Sequence, residues 1–124
     1  MSLNNDEVWY ELGITSLMLN EPDEAVSAFK KQIEITPKHE SAWVNLGVVL
    51  SDLGHLNEAL AAFKKQIEIT PNHEWAWYHM GIALYNLGKL DEALAAYKKQ
   101  IEITPNHKRA LNGLKALNDA LSNW

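Results

Sequence analysis

Apolar residues recur along the chain at steps of three and four positions, the spacing that places them on one face of an α-helix. In the segment EWAWYHMGIALYNLG, residues 74–88, that face is formed by Trp77, Met80, Leu84 and Leu87. The segment LDEALAAYKKQIEI, residues 90–103, follows and is rich in residues of high helix propensity. The pattern predicts two helices, the first ending at Gly88 and the second before Pro105.

The same pair of helices is predicted three times, because the sequence repeats with a period of 34 residues. FKKQIEITPKHE returns as FKKQIEITPNHE and as YKKQIEITPNHK, at residues 29–40, 63–74 and 97–108. The predicted repeat units cover residues 6–39, 40–73 and 74–107. The sequence therefore predicts a single all-α domain over residues 1–124, with seven helices and no strands.

The last segment, residues 108–124, is predicted to be a capping helix. A helical hairpin cannot bury both of its faces, so the three hairpins are expected to stack, and the end of the stack needs a cover. One face of this segment carries Leu111, Leu114, Leu117 and Leu121.

Composition and charge exclude several classes of function. The chain has 124 residues, no cysteine and a formal net charge of -5. Disulfides and thiolate metal sites are therefore absent, and the acidic charge argues against binding a nucleic-acid backbone. No apolar run approaches the roughly 18 to 20 residues of a membrane span, and no basic segment followed by an apolar run marks a secretory signal. We expect a cytoplasmic protein with neither a nucleic-acid nor a membrane partner.

The positions that the units share resemble the tetratricopeptide repeat family, whose repeats have the same period and carry Trp, Leu-Gly, a large apolar residue, Ala, an aromatic residue and Pro. Unit two matches this pattern with Trp43, Leu46, Gly47, Leu50, Ala59, Phe63 and Pro71. Unit three matches with Trp77, Met80, Gly81, Leu84, Ala93, Tyr97 and Pro105. Unit one matches with Trp9, Leu12, Gly13, Ala25, Phe29 and Pro37, but has Ser16 at the large apolar position. The resemblance implies a right-handed superhelical α-solenoid, in which the first helix of each unit lines a concave groove.

All three units depart from the family pattern at one further position. Gln32, Gln66 and Gln100 stand where the family usually has a small apolar residue. A glutamine can turn its amide outward to solvent, so we expect these side chains at the edge of the core.

Units two and three differ mainly in their first halves, where Ser41 corresponds to Trp75 and Ser51 to Tyr85. By the resemblance, the differing positions face the groove, which is the distribution expected of a binding surface on a repeated frame. The predicted peptide-binding groove is mainly apolar and aromatic, and consists of Tyr10, Ile14, Leu17, Val44, Asn45, Val48, Trp75, Tyr78, His79, Ile82, Tyr85, Asn86, Arg109 and Asn112.

Trp75 and Trp77 cannot face the same way on a helix, since two residues turn the chain by about 200°. Trp77 is at the family's core tryptophan position, whereas Trp75 is at a groove position and is expected to be partly exposed. The alternative is that Trp75 packs on a neighbouring helix end or on Arg109 in a cation–π pair.

A groove of this composition favours a protein or peptide ligand, either an apolar peptide or an amphipathic helix. Acidic chaperone tails are disfavoured, because the family's clamp positions hold Tyr10, Ile14, Asn45, Trp75 and His79, of which only Asn45 fits. Three alternatives stay open: an idealised or recently duplicated scaffold with no evolved partner, a homodimer formed through the groove, and a helical repeat that binds single-stranded RNA.

No catalytic motif or phosphate-binding loop is present. His39, His73 and His107 recur at the unit ends, but stacked helices lie about 8–10 Å apart, too far for one zinc ion with ligands at about 2 Å. We expect no enzymatic activity, no metal and no cofactor.

Overall fold

The structure is a computed structural model that describes residues 5–39, 41–105 and 108–122. Within these ranges the chain forms seven helices and no strands. The helices are α1 (Asn5–Met18), α2 (Pro22–Ile35), α3 (Ala42–Asp52), α4 (Leu56–Ile69), α5 (Glu74–Asn86), α6 (Leu90–Ile103) and α7 (Lys108–Ser122). Each helix packs mainly on its neighbours in sequence, and α3 also contacts α5. The predicted all-α repeat solenoid is confirmed.

The turn inside each hairpin follows the prediction made for Gly88. This residue has a φ of 79°, and Lys89 N donates to Leu84 O at 2.9 Å, which closes the end of α5. Gly54 and Asn20 occupy the corresponding turns with φ values of 84° and 59°. Positive φ costs glycine little, and asparagine tolerates it better than most residues. The three turns therefore reverse the chain in the same way.

The core between the two helices of a hairpin is built on one aromatic ring from the second helix. Phe29, Phe63 and Tyr97 hold this position, with 0%, 0% and 4% of their surface exposed. A Cβ atom at Gly81 would lie 2.7 Å from Cε1 of Tyr97, closer than a methyl group can approach. The repeated glycine of the first helix is required because the aromatic ring lies directly against its backbone.

The repeated tryptophans join each unit to the preceding turn. Trp43 and Trp77 are partly buried and pack against the core. Their indole Nε1 atoms donate to Pro37 O at 3.2 Å and to Pro71 O at 2.8 Å. Trp77 thus belongs to the frame, as predicted, although its ring keeps some exposure because its N–H reaches the turn at the surface.

The prediction for the repeated glutamines is wrong. Gln32, Gln66 and Gln100 are 1%, 0% and 0% exposed, so their amides lie inside the core and not in solvent. Gln66 Oε1 accepts a hydrogen bond from Val44 N at 3.2 Å. The N–H groups of a helix's first turn have no partner within the helix, and Gln66 supplies one for α3. The helix position allowed an outward rotamer, but at Gln66 this unmet donor favours the inward one; the Oε1 atoms of Gln32 and Gln100 are buried without such a partner among the described residues.

The two ends of the stack differ. Leu12 is 45% exposed, whereas its counterparts Leu46 and Met80 are 5% and 8% exposed. α3 and α5 each pack on the second helix of the preceding hairpin, and α1 has no such helix within the described ranges. At the other end α7 packs on α6 and buries Leu117 completely. Leu111 is 42% exposed, and the side chain of Leu121 lies outside the described residues.

Among the helices of the described residues, none combines the length and the apolar character needed to cross a membrane.

Candidate functional site

An apolar pocket of about 230 Å³ lies where α1, α3 and α5 meet. Its walls combine side chains of all three helices with the ring of a core phenylalanine and the turn before α5. The lining residues are Ile14, Leu17, Phe29, Ser41, Val44, Asn45, Val48, His73, Trp75 and His79. The pocket therefore brings together seven residues of the predicted groove, and we call it the apolar pocket below.

Trp75 is 37% exposed at this pocket and belongs to an aromatic cluster on α5. Its ring centroid lies 5.9 Å from that of Tyr78, edge to face, and 6.0 Å from that of His79, stacked. His79 stacks in turn on Phe63 of the core at 5.9 Å. Aromatic pairs of this geometry are favourable, so the exposed indole is held by rings that are fixed in the core.

Tyr97 extends the cluster inward, with its ring centroid 6.4 Å from that of Tyr78. Burial, together with the neighbouring Tyr78 and Tyr85, raises the pKa of the Tyr97 phenol to about 12. A buried phenolate is disfavoured because it loses its hydration. The hydroxyl is therefore neutral at physiological pH.

A second pocket, of about 550 Å³, lies between α1 and α3 and has an acidic lining. Its residues are Asp6, Glu7, Tyr10, Glu11, Gln32, His39, Ser41 and Asn45. It shares Ser41 and Asn45 with the apolar pocket, so the two adjoin along the groove. We call it the acidic pocket below. Of the predicted groove residues it contains Tyr10 and Asn45.

Two histidines, one from the turn before α3 and one from the turn before α5, contact Ser41, which lines both pockets. His73 caps α5, with Nδ1 accepting from Ala76 N at 3.2 Å. The neutral ring then carries its proton on Nε2, which lies 3.4 Å from Ser41 Oγ. His39 Nδ1 accepts from Ser41 N at 3.2 Å. The repeat places both histidines at the unit ends, but histidine is not among the preferred capping residues, so the sequence did not predict this cap.

The remaining predicted residues are not gathered in these two pockets. Ile82 is partly buried and packs against the core, while Tyr85 and Asn86 are exposed near the end of α5. Asn112 is exposed on α7. Arg109 also belongs to α7, but its side chain lies outside the described residues, as does any pairing with Trp75.

Val44 lines the apolar pocket but is only 5% exposed, so it contributes little surface to the groove. The residues Asp6, Glu7, Glu11 and Gln32 line the acidic pocket but are not among the predicted groove residues. Glu11 lies in the same helix position as Asn45 and His79, and this correspondence could have indicated it.

Comparisons with known proteins agree with this architecture. Family models of the tetratricopeptide repeat match residues 50–117 and residues 6–39. Among curated proteins, no significant match to the sequence is found.

Solved structures of the same architecture cover nearly the whole chain. The first tetratricopeptide repeat (TPR) domain of Spaghetti (RPAP3), bound to the HSP90 peptide SRMEEVD, is 24% identical, with a TM-score of 0.92 over 95% of this chain and 94% of that one. The Sgt2 TPR domain of Aspergillus fumigatus is 19% identical, with a TM-score of 0.90 over 97% of this chain and 81% of that one. YrrB, described as a TPR protein with an unusual peptide-binding site, is 29% identical, with a TM-score of 0.85 over 92% of this chain and 59% of that one. With family models matching more than half of its residues, the chain belongs to the tetratricopeptide repeat family.

Proposed function

We propose that this protein is a non-catalytic interaction scaffold that holds an apolar peptide segment or an amphipathic helix of a partner protein in its groove. The observation that carries the proposal is the apolar pocket, at whose mouth Trp75 is 37% exposed although its neighbouring rings are packed into the core. Tryptophan is enriched among the residues that dominate binding energy at protein interfaces. Trp75 is the anchor of the proposed site.

The chemistry of the pocket defines the kind of ligand. Ile14, Leu17 and Val48 supply aliphatic walls, and Trp75 and His79 supply ring faces. Burial of apolar surface contributes roughly 25 cal/mol per Å², so an apolar side chain of the ligand gains most by entering here. The helical frame is formed before binding, which limits the entropy that the protein loses.

Membership of the tetratricopeptide repeat family supports this type of function. YrrB, whose description names a peptide-binding site, shows that a related frame can hold a peptide. The proposal does not extend to acidic tails such as the SRMEEVD peptide bound by the RPAP3 domain. In this chain Asp6, Glu7 and Glu11 line the adjoining pocket and would repel the carboxylates of such a tail.

The proposal is tested by separating the anchor from the frame. An array of peptides with central Leu, Phe or Trp residues is screened against the protein, and the best binder is titrated by calorimetry. Trp75→Ala should weaken this binding about 30-fold, the effect of losing a central aromatic anchor worth about 2 kcal/mol. It should lower the free energy of unfolding by about 1 kcal/mol, through the lost ring contacts with Tyr78 and His79, and by less than Trp77→Ala does.

Two control variants make the result specific. Ile35→Ala removes an exposed apolar side chain of α2 that lines neither pocket and is not among the predicted groove residues, and should leave the affinity unchanged. Trp77→Ala removes a residue of the frame and should lower the free energy of unfolding by about 2 kcal/mol or more. If Trp75→Ala destabilises the protein as much as Trp77→Ala does, Trp75 is a frame residue and the proposal is wrong.

Other occupants of the groove would give different results. A concentration-dependent dimer that Trp75→Ala dissociates, seen by analytical ultracentrifugation, would identify a second copy of the chain as the occupant. Salt-sensitive binding of single-stranded RNA would identify a nucleic-acid ligand instead. Unchanged peptide binding by Trp75→Ala would place the partner site outside the groove.

A further inference from the structure

We propose that the acidic pocket binds a basic side chain, arginine or lysine, of the same ligand that enters the apolar pocket. This inference rests on the proposed function and adds to it the charge that the partner carries. A ligand with a basic residue close to an apolar or aromatic residue would fill both pockets at once.

The charge of the lining is the first observation. Asp6, Glu7 and Glu11 place three carboxylates around the pocket, and the described residues that line it include no lysine or arginine. Like charges that share a concave surface raise the local negative potential and attract a cation. The pocket thus has the opposite charge to the ligand group that we propose.

The second observation is independent of the carboxylates. Gln32 lines the pocket, yet its side chain is only 1% exposed, and within the described residues its Oε1 accepts no hydrogen bond. A buried acceptor without a partner is unfavourable, because it has lost its hydration without gaining a hydrogen bond. The Oε1 of its counterpart Gln66 is satisfied, because it accepts from Val44 N. Gln32 therefore offers an unused acceptor at a pocket that attracts donors.

Stabilisation of the N-terminal end of α1 explains only some of the three carboxylates in the acidic pocket. Asp6 and Glu7 occupy the first turn of α1, where carboxylates favour the helix dipole. Glu11 lies one turn further on, where that effect has faded. The counterparts of Glu7 and Glu11 are Ser41 and Asn45 in unit two, and Trp75 and His79 in unit three. The carboxylates of Glu7 and Glu11 thus belong to this pocket, whereas Asp6 has the acidic counterparts Glu40 and Glu74 in the other units.

The lining favours an organic cation over a metal ion. Within the described residues, no group of three or more His, Cys, Asp or Glu side chains could hold a metal ion. Tyr10 adds an aromatic ring to the lining, and such a ring attracts an ammonium or guanidinium group. A guanidinium group also carries five N–H donors, enough to serve several carboxylates and an amide oxygen.

Asn45 connects the two pockets. It lines both of them, and its Nδ2 is buried without an acceptor among the described residues. A peptide that crosses from one pocket to the other passes this donor with its backbone. A backbone carbonyl of the ligand would therefore accept from Asn45 while the side chains on either side enter their pockets.

The inference is tested on the full chain with small probes that separate the two pockets. Two-dimensional ¹H–¹⁵N spectra are recorded with N-acetyl-arginine methylamide, with its neutral isostere N-acetyl-citrulline methylamide, and with N-acetyl-tryptophanamide. The arginine probe should shift the amide signals of Tyr10 and Glu11 and the side-chain amide of Gln32. The citrulline probe should not shift them, and the tryptophan probe should shift Val48 and His79.

A double variant and a charge-matched control complete the test. Glu7→Gln with Glu11→Gln keeps the shape of the pocket and should weaken the arginine probe about tenfold, the combined effect of losing two exposed charges next to the bound cation. Glu58→Gln with Glu92→Gln removes the same charge from exposed positions of α4 and α6 and should change the affinity less than about twofold. Circular dichroism confirms that both variants are folded.

The outcomes distinguish this inference from the proposed function. Equal shifts with arginine and citrulline, or equal weakening by both double variants, would overturn the basic-side-chain assignment. If the tryptophan probe still binds, the proposed function survives that result. If the tryptophan probe shifts no amide signals around Val48 while the arginine probe binds as expected, the inference about the acidic pocket is supported. The proposed function, with Trp75 as its apolar anchor, is then wrong.

Discussion

At the scale of single residues, the three equivalent glutamines differ in what their amides bind. Gln66 Oε1 accepts from Val44 N, whereas within the described residues neither amide atom of Gln100 has a partner. All three are buried to the same degree, so burial alone does not determine what they contribute. A satisfied buried amide stabilises the fold, and an unsatisfied one reduces its stability.

The chain therefore contains its own matched pair for a stability test. Methionine has nearly the shape of glutamine without its polar atoms. Gln100→Met should raise the free energy of unfolding by about 1 kcal/mol, because it removes an unsatisfied amide. Gln66→Met should be less favourable than Gln100→Met by about 1 kcal/mol or more, because Val44 N loses its acceptor even though the unpartnered Nε2 of Gln66 is also removed. Urea denaturation of the two variants measures both values, and equal effects would contradict this account.

Tyr97 gives the core a dependence on pH that phenylalanine at this position would not give. Its pKa in the folded protein is about 12, above the ordinary value of 10.0. Folding therefore favours the protonated phenol, and the free energy of unfolding falls as the pH rises from 10 towards 12. In Tyr97→Phe the decrease in the free energy of unfolding that Tyr97 causes should be absent.

The measurement compares urea midpoints of the wild type and of Tyr97→Phe at pH 8, 10 and 11.5. Phe29 and Phe63 show that the position accepts a phenylalanine. The variant should gain slightly on the wild type between pH 8 and 10, because the unfolded phenol is half ionised at pH 10, and it should gain more at pH 11.5. Parallel curves over the whole range would show that the Tyr97 hydroxyl is hydrated.

At the scale of secondary-structure elements, one type of turn joins the helices of every hairpin, but it is formed by two residue types. Gly54 and Gly88 hold the left-handed position in two units and Asn20 holds it in the third. A Cβ at Gly88 would meet no atom within 4 Å, so only its backbone conformation restricts substitution there. A substitution at Gly88 therefore changes the conformational energy of the backbone without changing side-chain packing.

Gly88→Ala should lower the free energy of unfolding by about 1 kcal/mol, the cost of a left-handed alanine. Asn20→Gly should change it by less than about 0.5 kcal/mol, because easier backbone geometry is offset by greater freedom of the unfolded chain. Thermal unfolding of both variants gives the comparison. An alanine at position 88 without any loss of stability would mean that the turn relaxes to negative φ.

The sequence determined most of these elements in advance. The period, the glycines and the prolines predicted the helices and their turns, because these depend on neighbouring residues. The burial of Gln32 and the acidic pocket were not predicted, because each depends on where helices of different units meet. Val44 shows the same limit, since it lines the apolar pocket but the helix packing leaves it 5% exposed.

At the scale of the whole molecule, α7 covers the end of the stack. It packs on α6 and buries Leu117 completely, with Leu114 partly buried beside it. Removal of residues 108–124 should expose the apolar surface of α6 around Tyr97 and Ile101. The truncated protein should unfold at a lower temperature or associate, as measured by circular dichroism and light scattering. A truncated chain that stays monomeric and equally stable would contradict the capping role.

The packing of each helix on its neighbours in sequence also determines which part of the protein unfolds first. Contacts of this kind let a stack fray from its ends while the middle stays folded. α1 is the first helix of the described stack and packs mainly on α2, so amide hydrogens there should exchange sooner than those of α3 to α5. The acidic pocket depends on α1, whereas most of the apolar pocket is built on α3 and α5. A ligand that bridges the two pockets would thus slow the fraying of the first hairpin, and the lifetime of the complex would depend on that motion.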